Sequence, residues 1–160
     1  MKEKLQEYAL LAEIISGLAI VVTLVILIFE VKGNTTAVQI SNRQSISARG
    51  QEMATLLIEN QDLRVVLQKM NSGNELSDLD ESLFGAWMNA HHRIAEESYN
   101  LYEEGQIEEE DWNIRTKLIL NVLETEFARE VYRSRRDDGF FGLAYTNWLD
   151  QALIKEYGEK

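Results

Sequence analysis

The chain has 160 residues, of which 45% are hydrophobic, and it carries a formal net charge of -11 at pH 7. An acidic chain repels the phosphate backbone, so this composition argues against nucleic acid as a partner and favours cations or a basic protein. The absence of cysteine excludes disulfides, thiolate metal sites and cysteine nucleophiles, and the absence of proline allows long helices.

The most apolar stretch is residues 10–29, LLAEIISGLAIVVTLVILIF. A helix of about 20 residues extends roughly 30 Å, which matches the hydrocarbon core of a bilayer. The stretch is longer than the apolar part of most signal peptides, and no small-residue cleavage site follows it. We therefore expect a polar lead over residues 1–8 and a retained transmembrane helix over residues 9–32, in contact with the lipid bilayer. Positive charges flank both ends almost equally, so the residues leave the orientation open.

Small and polar residues form a seam of heptad period along this predicted span. The seam consists of Ala9, Ala12, Ser16, Ala19, Thr23, Ile26 and Glu30. In lipid, helices associate through close packing of small residues and through hydrogen bonds between polar ones. The seam therefore predicts a homo-oligomer.

A second, overlapping line of residues has a carboxylate at each end. It consists of Glu13, Ser16, Ile20, Thr23, Leu27 and Glu30. In a ring of helices this line could form the wall of a cation-selective pore. The simpler alternative is that Glu13 lies close to the membrane surface and extends its carboxylate into the headgroups.

Residues 33–160 follow the span, and residues 51–160 hold eleven Lys and Arg against twenty-three Asp and Glu. Apolar residues recur at helical spacing between turn signals, so we expect one acidic, soluble, all-α domain that packs as a helical bundle. The predicted helices cover about 36–60, 62–70, 77–104, 108–136 and 142–157.

Cap and turn residues set these boundaries. Gly33-Asn34-Thr35-Thr36 predicts the end of the transmembrane helix and the start of the next helix. Ser77, with Asp80 three residues later, is typical of a capping box. Gly105 and Asp137-Asp138-Gly139 predict two further helix ends.

The predicted helix over 108–136 has two further features. Its expected buried stripe consists of Trp112, Ile114, Leu118, Val122 and Leu123. A candidate break lies near residues 123–126. The acidic run at residues 108–111 fits the charge preference of a helix N-terminus better than it fits a calcium loop.

The residues do not predict a catalytic or metal site. His92 and Glu96 have an i, i+4 spacing that can hold a metal, but the paired Glu-x-x-His motifs of di-iron bundles are missing. The sequence also lacks a nucleophile elbow, a phosphate-binding glycine loop and a dinucleotide fingerprint. We therefore expect a protein that is not an enzyme and needs no cofactor.

One dense basic cluster interrupts the acidic domain. It consists of Arg129, Arg133, Arg135 and Arg136. These arginines lie near the predicted C-terminal end of a helix, where cations suit the macrodipole. We expect them to pair with acids of the same subunit or of an adjacent one, and the second arrangement would link subunits into a ring.

Four stretches resemble a widespread group of short, uncharacterised bacterial single-pass membrane proteins, in which an N-terminal transmembrane helix precedes a helical domain. They are EIISGLAIVVTLVILIFEVKGNTTAV (13–38), ENQDL (59–63), RIAEESYNLYEEGQIEEEDW (93–112) and REVYRSRRDDGFF (129–141). The resemblance implies a bacterial inner membrane and a cytoplasmic C-terminal domain, and it implies no activity. The leading hypothesis is a homo-oligomeric scaffold or signal-coupling module, and the alternative is an oligomeric cation channel.

Overall fold

The structure, a computed structural model, describes residues 2–158 without the side chains of Lys2, Glu3, Leu5, Glu7 and Ala9. The expected all-α class is confirmed, because this part of the chain contains six helices and no strand. The helices are α1 (Lys2–Glu59), α2 (Gln61–Asn71), α3 (Asp78–Glu103), α4 (Glu109–Val122), α5 (Glu126–Asp137) and α6 (Leu143–Tyr157). The chain divides into two units, Met1–Ile40 and Ser41–Lys160.

Helix α1 continues through the predicted helix end at residues 33–36, so that prediction is wrong. Gly33 keeps a negative φ inside the helix, and an interior glycine costs only about 1 kcal/mol relative to alanine. The hydroxyls of Thr35 and Thr36 each donate to the carbonyl four residues earlier, at 3.0 Å. This bonding satisfies both hydroxyls within the helix, so neither threonine caps a new one.

Three predicted helix boundaries are confirmed. The hydroxyl of Ser77 accepts a hydrogen bond from the backbone N–H of Asp80 and completes the capping box of α3. Gly105 follows the end of α3 with φ +68, and Gly139 follows the end of α5 with φ +75. Glycine adopts this left-handed region without the strain that a Cβ introduces, which explains why both helices stop there.

The helix predicted over residues 108–136 is two helices, with the break at the candidate position. Helix α4 ends at Val122, and Thr125 is the N-cap of α5. The Thr125 hydroxyl accepts a hydrogen bond from the backbone N–H of Ala128 at 3.2 Å. This capping bond satisfies a backbone donor that has no partner inside the new helix.

The buried side of α4 differs from the predicted stripe. Ile114 and Leu118 are about half exposed, whereas Trp112 and Ile119 are buried. The buried positions are seven residues apart, so they share one side of the helix. The stripe prediction is therefore wrong at Ile114 and Leu118. It is correct at Trp112 and at Leu123, which is fully buried, and Val122 is partly buried against the core.

The second unit is built around α3, which packs against α2, α4 and α6. Its most buried apolar side chains include Phe84, Met88, Leu123, Ala128, Tyr132, Tyr145 and Leu149. A smaller cluster joins Ile46, near the end of α1, to Ile107 and Trp112. The last turns of α1 therefore belong to the packed helices of this unit.

Candidate functional site

The apolar residues 10–29 of α1 are exposed on every side of the helix. Their large apolar side chains each keep 46–70% of their surface accessible. By length and composition, α1 is the one helix among the described residues that could cross a membrane. Soluble monomers rarely expose an apolar surface of this extent.

The seam residues lie along this exposed segment. The structure describes six of their side chains, at Ala12, Ser16, Ala19, Thr23, Ile26 and Glu30, and all six are exposed. The side chain of Ala9 lies outside the described ones. The Thr23 hydroxyl donates its proton to the carbonyl of Ala19 at 2.8 Å. The hydroxyl oxygen of Thr23 can therefore still accept a hydrogen bond from another helix, but the hydroxyl cannot donate one. The seam therefore offers mainly small side chains for close packing, and self-association stays a prediction.

The proposed pore-lining residues also lie on the exposed segment. Glu13 and Glu30, at its two ends, form no hydrogen bond or ion pair with any described residue. They are separated by about 25 Å along the helix. Ile20 and Leu27 are apolar and exposed between them. A ring of such helices would place a ring of carboxylates at each end, and the pore stays a prediction.

Arg129, in the basic cluster, has its partners within the same chain. It is buried, and its Nη1 donates to the carbonyls of Leu123 and Glu124, at 2.9 and 2.7 Å. Its Nη2 pairs with Glu126 at 2.9 Å, and its guanidinium lies 4.8 Å from the ring centre of Tyr157. Arg129 therefore satisfies carbonyls at the α4–α5 break and holds α6 against it.

The other three arginines of the cluster also contact their own chain. Arg133 pairs with Glu126 at 3.0 Å. Arg136 pairs with Asp150 at 2.9 Å, and Arg135 lies over the ring of Phe140. These contacts provide same-chain partners for the cluster, and pairing with an adjacent subunit stays a prediction.

His92 and Glu96 bind different groups and do not share a site. His92 is fully buried, with its Nδ1 2.9 Å from the Tyr145 hydroxyl and its ring stacked on Tyr132. Burial lowers the pKa of His92 to about 3. A carboxylate oxygen of Glu96 accepts a hydrogen bond from the backbone N–H of Gly142 at 2.6 Å. Both residues thus attach α3 to the C-terminal part of the fold.

A cavity of about 450 Å³ lies within the second unit, between the last turns of α1 and helices α2, α3 and α4. Its walls are mainly apolar and include Met53, Leu57, Leu67, Met70, Ile94 and Ile119. The volume is within the range of small-molecule sites, about 300–1,000 Å³. We refer to it as the α1–α4 cavity.

Arg115 lines the α1–α4 cavity and has no carboxylate within 4 Å among the described residues. Its Nη2 donates to the carbonyl of Ile46 at 2.9 Å. Asp111, one turn earlier on α4, is bound instead to Arg43 at 2.7 Å. Burial lowers the pKa of Arg115, yet a guanidinium stays charged at any physiological pH. Arg115 therefore supplies a half-buried positive charge with unused N–H donors.

His91 and Trp87 line the same cavity from α3. The Nδ1 of His91 lies 3.3 Å from the Trp87 carbonyl, and the tautomer with its proton on Nδ1 donates to this carbonyl. Burial lowers the pKa of His91, and the charge of Arg115 lowers it further. The buried indole Nε1 of Trp87 has no hydrogen-bond partner among the described residues. The cavity thus combines apolar walls, a neutral imidazole and a fixed cation.

The sequence prediction did not identify this cavity, although one signal was present. Arg115 follows Trp112 by three residues and precedes Ile119 by four, so it shares the buried side of α4. A cation at a core position is unusual without a partner. The predicted stripe contained only apolar residues and so did not include Arg115, although Leu118 and Val122 of that stripe line the cavity beside it.

The comparisons with known proteins identify no relative. No protein-family model, no curated protein and no solved structure matches the chain. Among the described residues, no three His, Asp or Glu side chains are grouped as metal ligands would be. The two features of the described chain that bear on function are the exposed segment of α1 and the α1–α4 cavity.

Proposed function

We propose that this protein is a homo-oligomeric, single-pass membrane protein that acts as a non-catalytic scaffold or signal-coupling module. The observation that carries the proposal is the exposure of residues 10–29 on all sides of α1. The resemblance to bacterial single-pass proteins supports a location in the inner membrane. It also supports placing the acidic domain in the cytoplasm.

Energetics support insertion of this segment. Fourteen large apolar side chains between Leu10 and Phe29 are exposed. At about 1.5 kcal/mol for each side chain removed from water, insertion gains roughly 20 kcal/mol. A central carboxylate costs only about 3 kcal/mol on insertion scales, and Glu13 is near one end of the stretch. The balance therefore favours a membrane span.

Membrane insertion and orientation can be tested together, because the chain has no cysteine of its own. Two variants, Lys4→Cys and Ser72→Cys, each introduce a single cysteine, one on either side of the span. Intact bacterial cells that express each variant would be treated with an impermeant maleimide. We expect membrane fractions to retain the protein at alkaline pH, with Lys4→Cys labelled and Ser72→Cys protected until lysis. Extraction at alkaline pH would refute the span, and labelling of Ser72→Cys alone would reverse the orientation.

Self-association can be tested by detergent-corrected mass measurement. Replacing Ala12, Ser16 and Ala19 by leucine should reduce or redirect assembly, because bulky side chains prevent close helix packing. The matched control replaces Ile15 and Val22, outside the seam, by leucine and should leave the mass unchanged. A monomeric wild type would refute the oligomer, and unaffected assembly of the seam variant would place the contact elsewhere.

A cation channel is the second candidate, favoured because Glu13 and Glu30 form no hydrogen bond or ion pair with the described residues of their own chain. Rings of carboxylates raise the local concentration of cations at the mouths of a pore. Purified protein in liposomes would be tested for cation flux under voltage, tension and added ligand. We expect Glu13→Gln and Glu30→Gln to reduce the flux, with Glu109→Gln as a control outside the span. Absence of flux in the wild type would remove this candidate.

A further inference from the structure

We propose that the α1–α4 cavity binds a small amphiphilic monoanion, an apolar body with one carboxylate that pairs with Arg115. The inference deepens the proposed signal-coupling role and rests on it for its biological meaning. The binding site itself lies entirely within the second unit, at residues 41–160.

The charge of the ligand follows from the partners of the arginines. Arg43, Arg49 and Arg136 are each bound to a carboxylate of the same chain. Among the described residues, the hydrogen-bond partner of Arg115 is the carbonyl of Ile46. The charge of Asp111 also acts on Arg115, but the Asp111 carboxylate is paired with Arg43. A guanidinium carries five N–H donors in a planar fork that matches the two oxygens of a carboxylate. Arg115 is therefore the cation in the cavity that an incoming anion can neutralise.

A single negative charge suits the site better than two. The chain carries a net charge of -11, and Glu124 also lines the cavity. The net negative charge and the Glu124 carboxylate both repel a dianion. The single guanidinium of Arg115 neutralises one carboxylate. His91, whose pKa burial lowers, adds no second positive charge at neutral pH.

The size and walls of the cavity define the rest of the ligand. A volume of about 450 Å³ accommodates up to about 15 non-hydrogen atoms, if each occupies about 30 Å³, the share of one water molecule in the liquid. Side chains such as Met53, Leu67 and Ile94 provide apolar contacts. Methionine adapts its shape easily, which suits an alkyl chain. A medium-chain fatty carboxylate fits these properties.

Gly50 allows α1 to approach the guanidinium closely. A Cβ at this position would lie 3.1 Å from Nη1 and 3.4 Å from Nη2 of Arg115. A ligand on Arg115 would thus contact the last turns of α1 together with α3 and α4. Binding would stabilise the packing of these turns against α3 and α4. The proposed module would then differ between its ligand-bound and its ligand-free state in how firmly the last turns of α1 are held.

The test uses the full-length protein in lipid nanodiscs, with empty nanodiscs as the reference for partitioning into lipid. Octanoate, octanol and octylamine have alkyl chains of the same length and differ in head-group charge. Binding is followed by tryptophan fluorescence, because Trp87 lines the cavity. We expect octanoate to bind at least about tenfold more tightly than octanol, as a charge-assisted hydrogen bond predicts. Equal affinities, or a preference for octylamine, would overturn the proposal.

Two pairs of variants locate the binding site. Arg115→Gln should lose the preference for octanoate, whereas Arg115→Lys should keep most of it. Ala54→Phe fills the cavity from an exposed position of α1 and should weaken octanoate and octanol alike, about tenfold. Ala48→Phe, also exposed on α1 but outside the cavity, is the matched control. Wild-type affinity in both Arg115→Gln and Ala54→Phe would place the ligand elsewhere.

Lipid composition separates a free carboxylate from a membrane lipid as the occupant. Octanoate should bind equally well in nanodiscs of phosphatidylcholine and in nanodiscs that contain phosphatidylglycerol. Loss of binding in the second type would show that an anionic lipid occupies the cavity instead, which overturns the proposal. Absence of octanoate binding in a protein that still inserts and assembles refutes the ligand alone, whereas failure to insert refutes the proposed function.

Discussion

Replacement of His92 by phenylalanine tests how strongly the core of the second unit excludes a proton. His92 is fully buried, stacked on Tyr132 and close to Phe141, and its Nδ1 contacts the Tyr145 hydroxyl. Phenylalanine keeps the aromatic packing but cannot bind a proton. It also leaves the Tyr145 hydroxyl without this partner, which costs about 1–3 kcal/mol at every pH. The informative quantity is therefore the pH dependence of the free energy of unfolding.

The sign and the size of the change in the free energy of unfolding with pH follow from the pKa of His92, which burial lowers from 6.5 to about 3. Between these values the unfolded chain binds a proton that the folded chain excludes. Stability from this group is therefore fully present above pH 6.5 and is lost progressively as the pH falls towards 3. Between pH 7 and pH 5 the loss is about 2 kcal/mol. His92→Phe should remove this loss.

The assay is guanidinium unfolding of the full-length protein in detergent at several pH values between 5 and 7. Its three tryptophans, Trp87, Trp112 and Trp148, all lie in the second unit and report its unfolding by fluorescence. Asp80, with a pKa lowered to about 2, does not titrate in this range. His91→Phe is the control and should keep the larger part of the pH dependence. An equally steep decline in wild type and His92→Phe would refute the reasoning.

Three further predictions concern local structure, each measured as the free energy of unfolding at pH 7. Ser77→Ala should lose about 1 kcal/mol because it removes the capping box, whereas Ser77→Thr should lose less; equal losses would argue against the cap. Gly105→Ala should lower the free energy of unfolding by about 1 kcal/mol, because the backbone φ of Gly105 is +68. Gly33→Ala should not destabilise, because Gly33 is helical and an added Cβ would meet no atom within 4 Å; a larger loss in Gly33→Ala than in Gly105→Ala would contradict these conformations. Arg129→Met should lower the free energy of unfolding by about 3 kcal/mol, because two carbonyls lose a buried donor. Arg133, which is more exposed, provides the control, and an equally small loss in Arg129→Met and Arg133→Met would contradict this role.

Much of the helical framework could be predicted from residues close together in the chain. The Ser77 capping box and the stops at Gly105 and Gly139 depend on side chains and dihedral angles within one turn. The apolar face of α3, including Phe84 and Met88, follows from helical spacing alone. Gly33 shows the limit of this reasoning, because a glycine and two threonines are compatible with both a helix end and a helix interior.

The sequence by itself determined the all-α class, most helix boundaries and the exposed apolar segment, since composition and short-range spacing encode them. Only the tertiary structure decided which positions of the predicted α4 stripe are buried, which partners Arg129 binds and that Arg115 faces an apolar cavity. Arg115 and its acceptor, the carbonyl of Ile46, are 69 residues apart. No local pattern specifies such a contact, because it depends on how the last turns of α1 pack against α3 and α4.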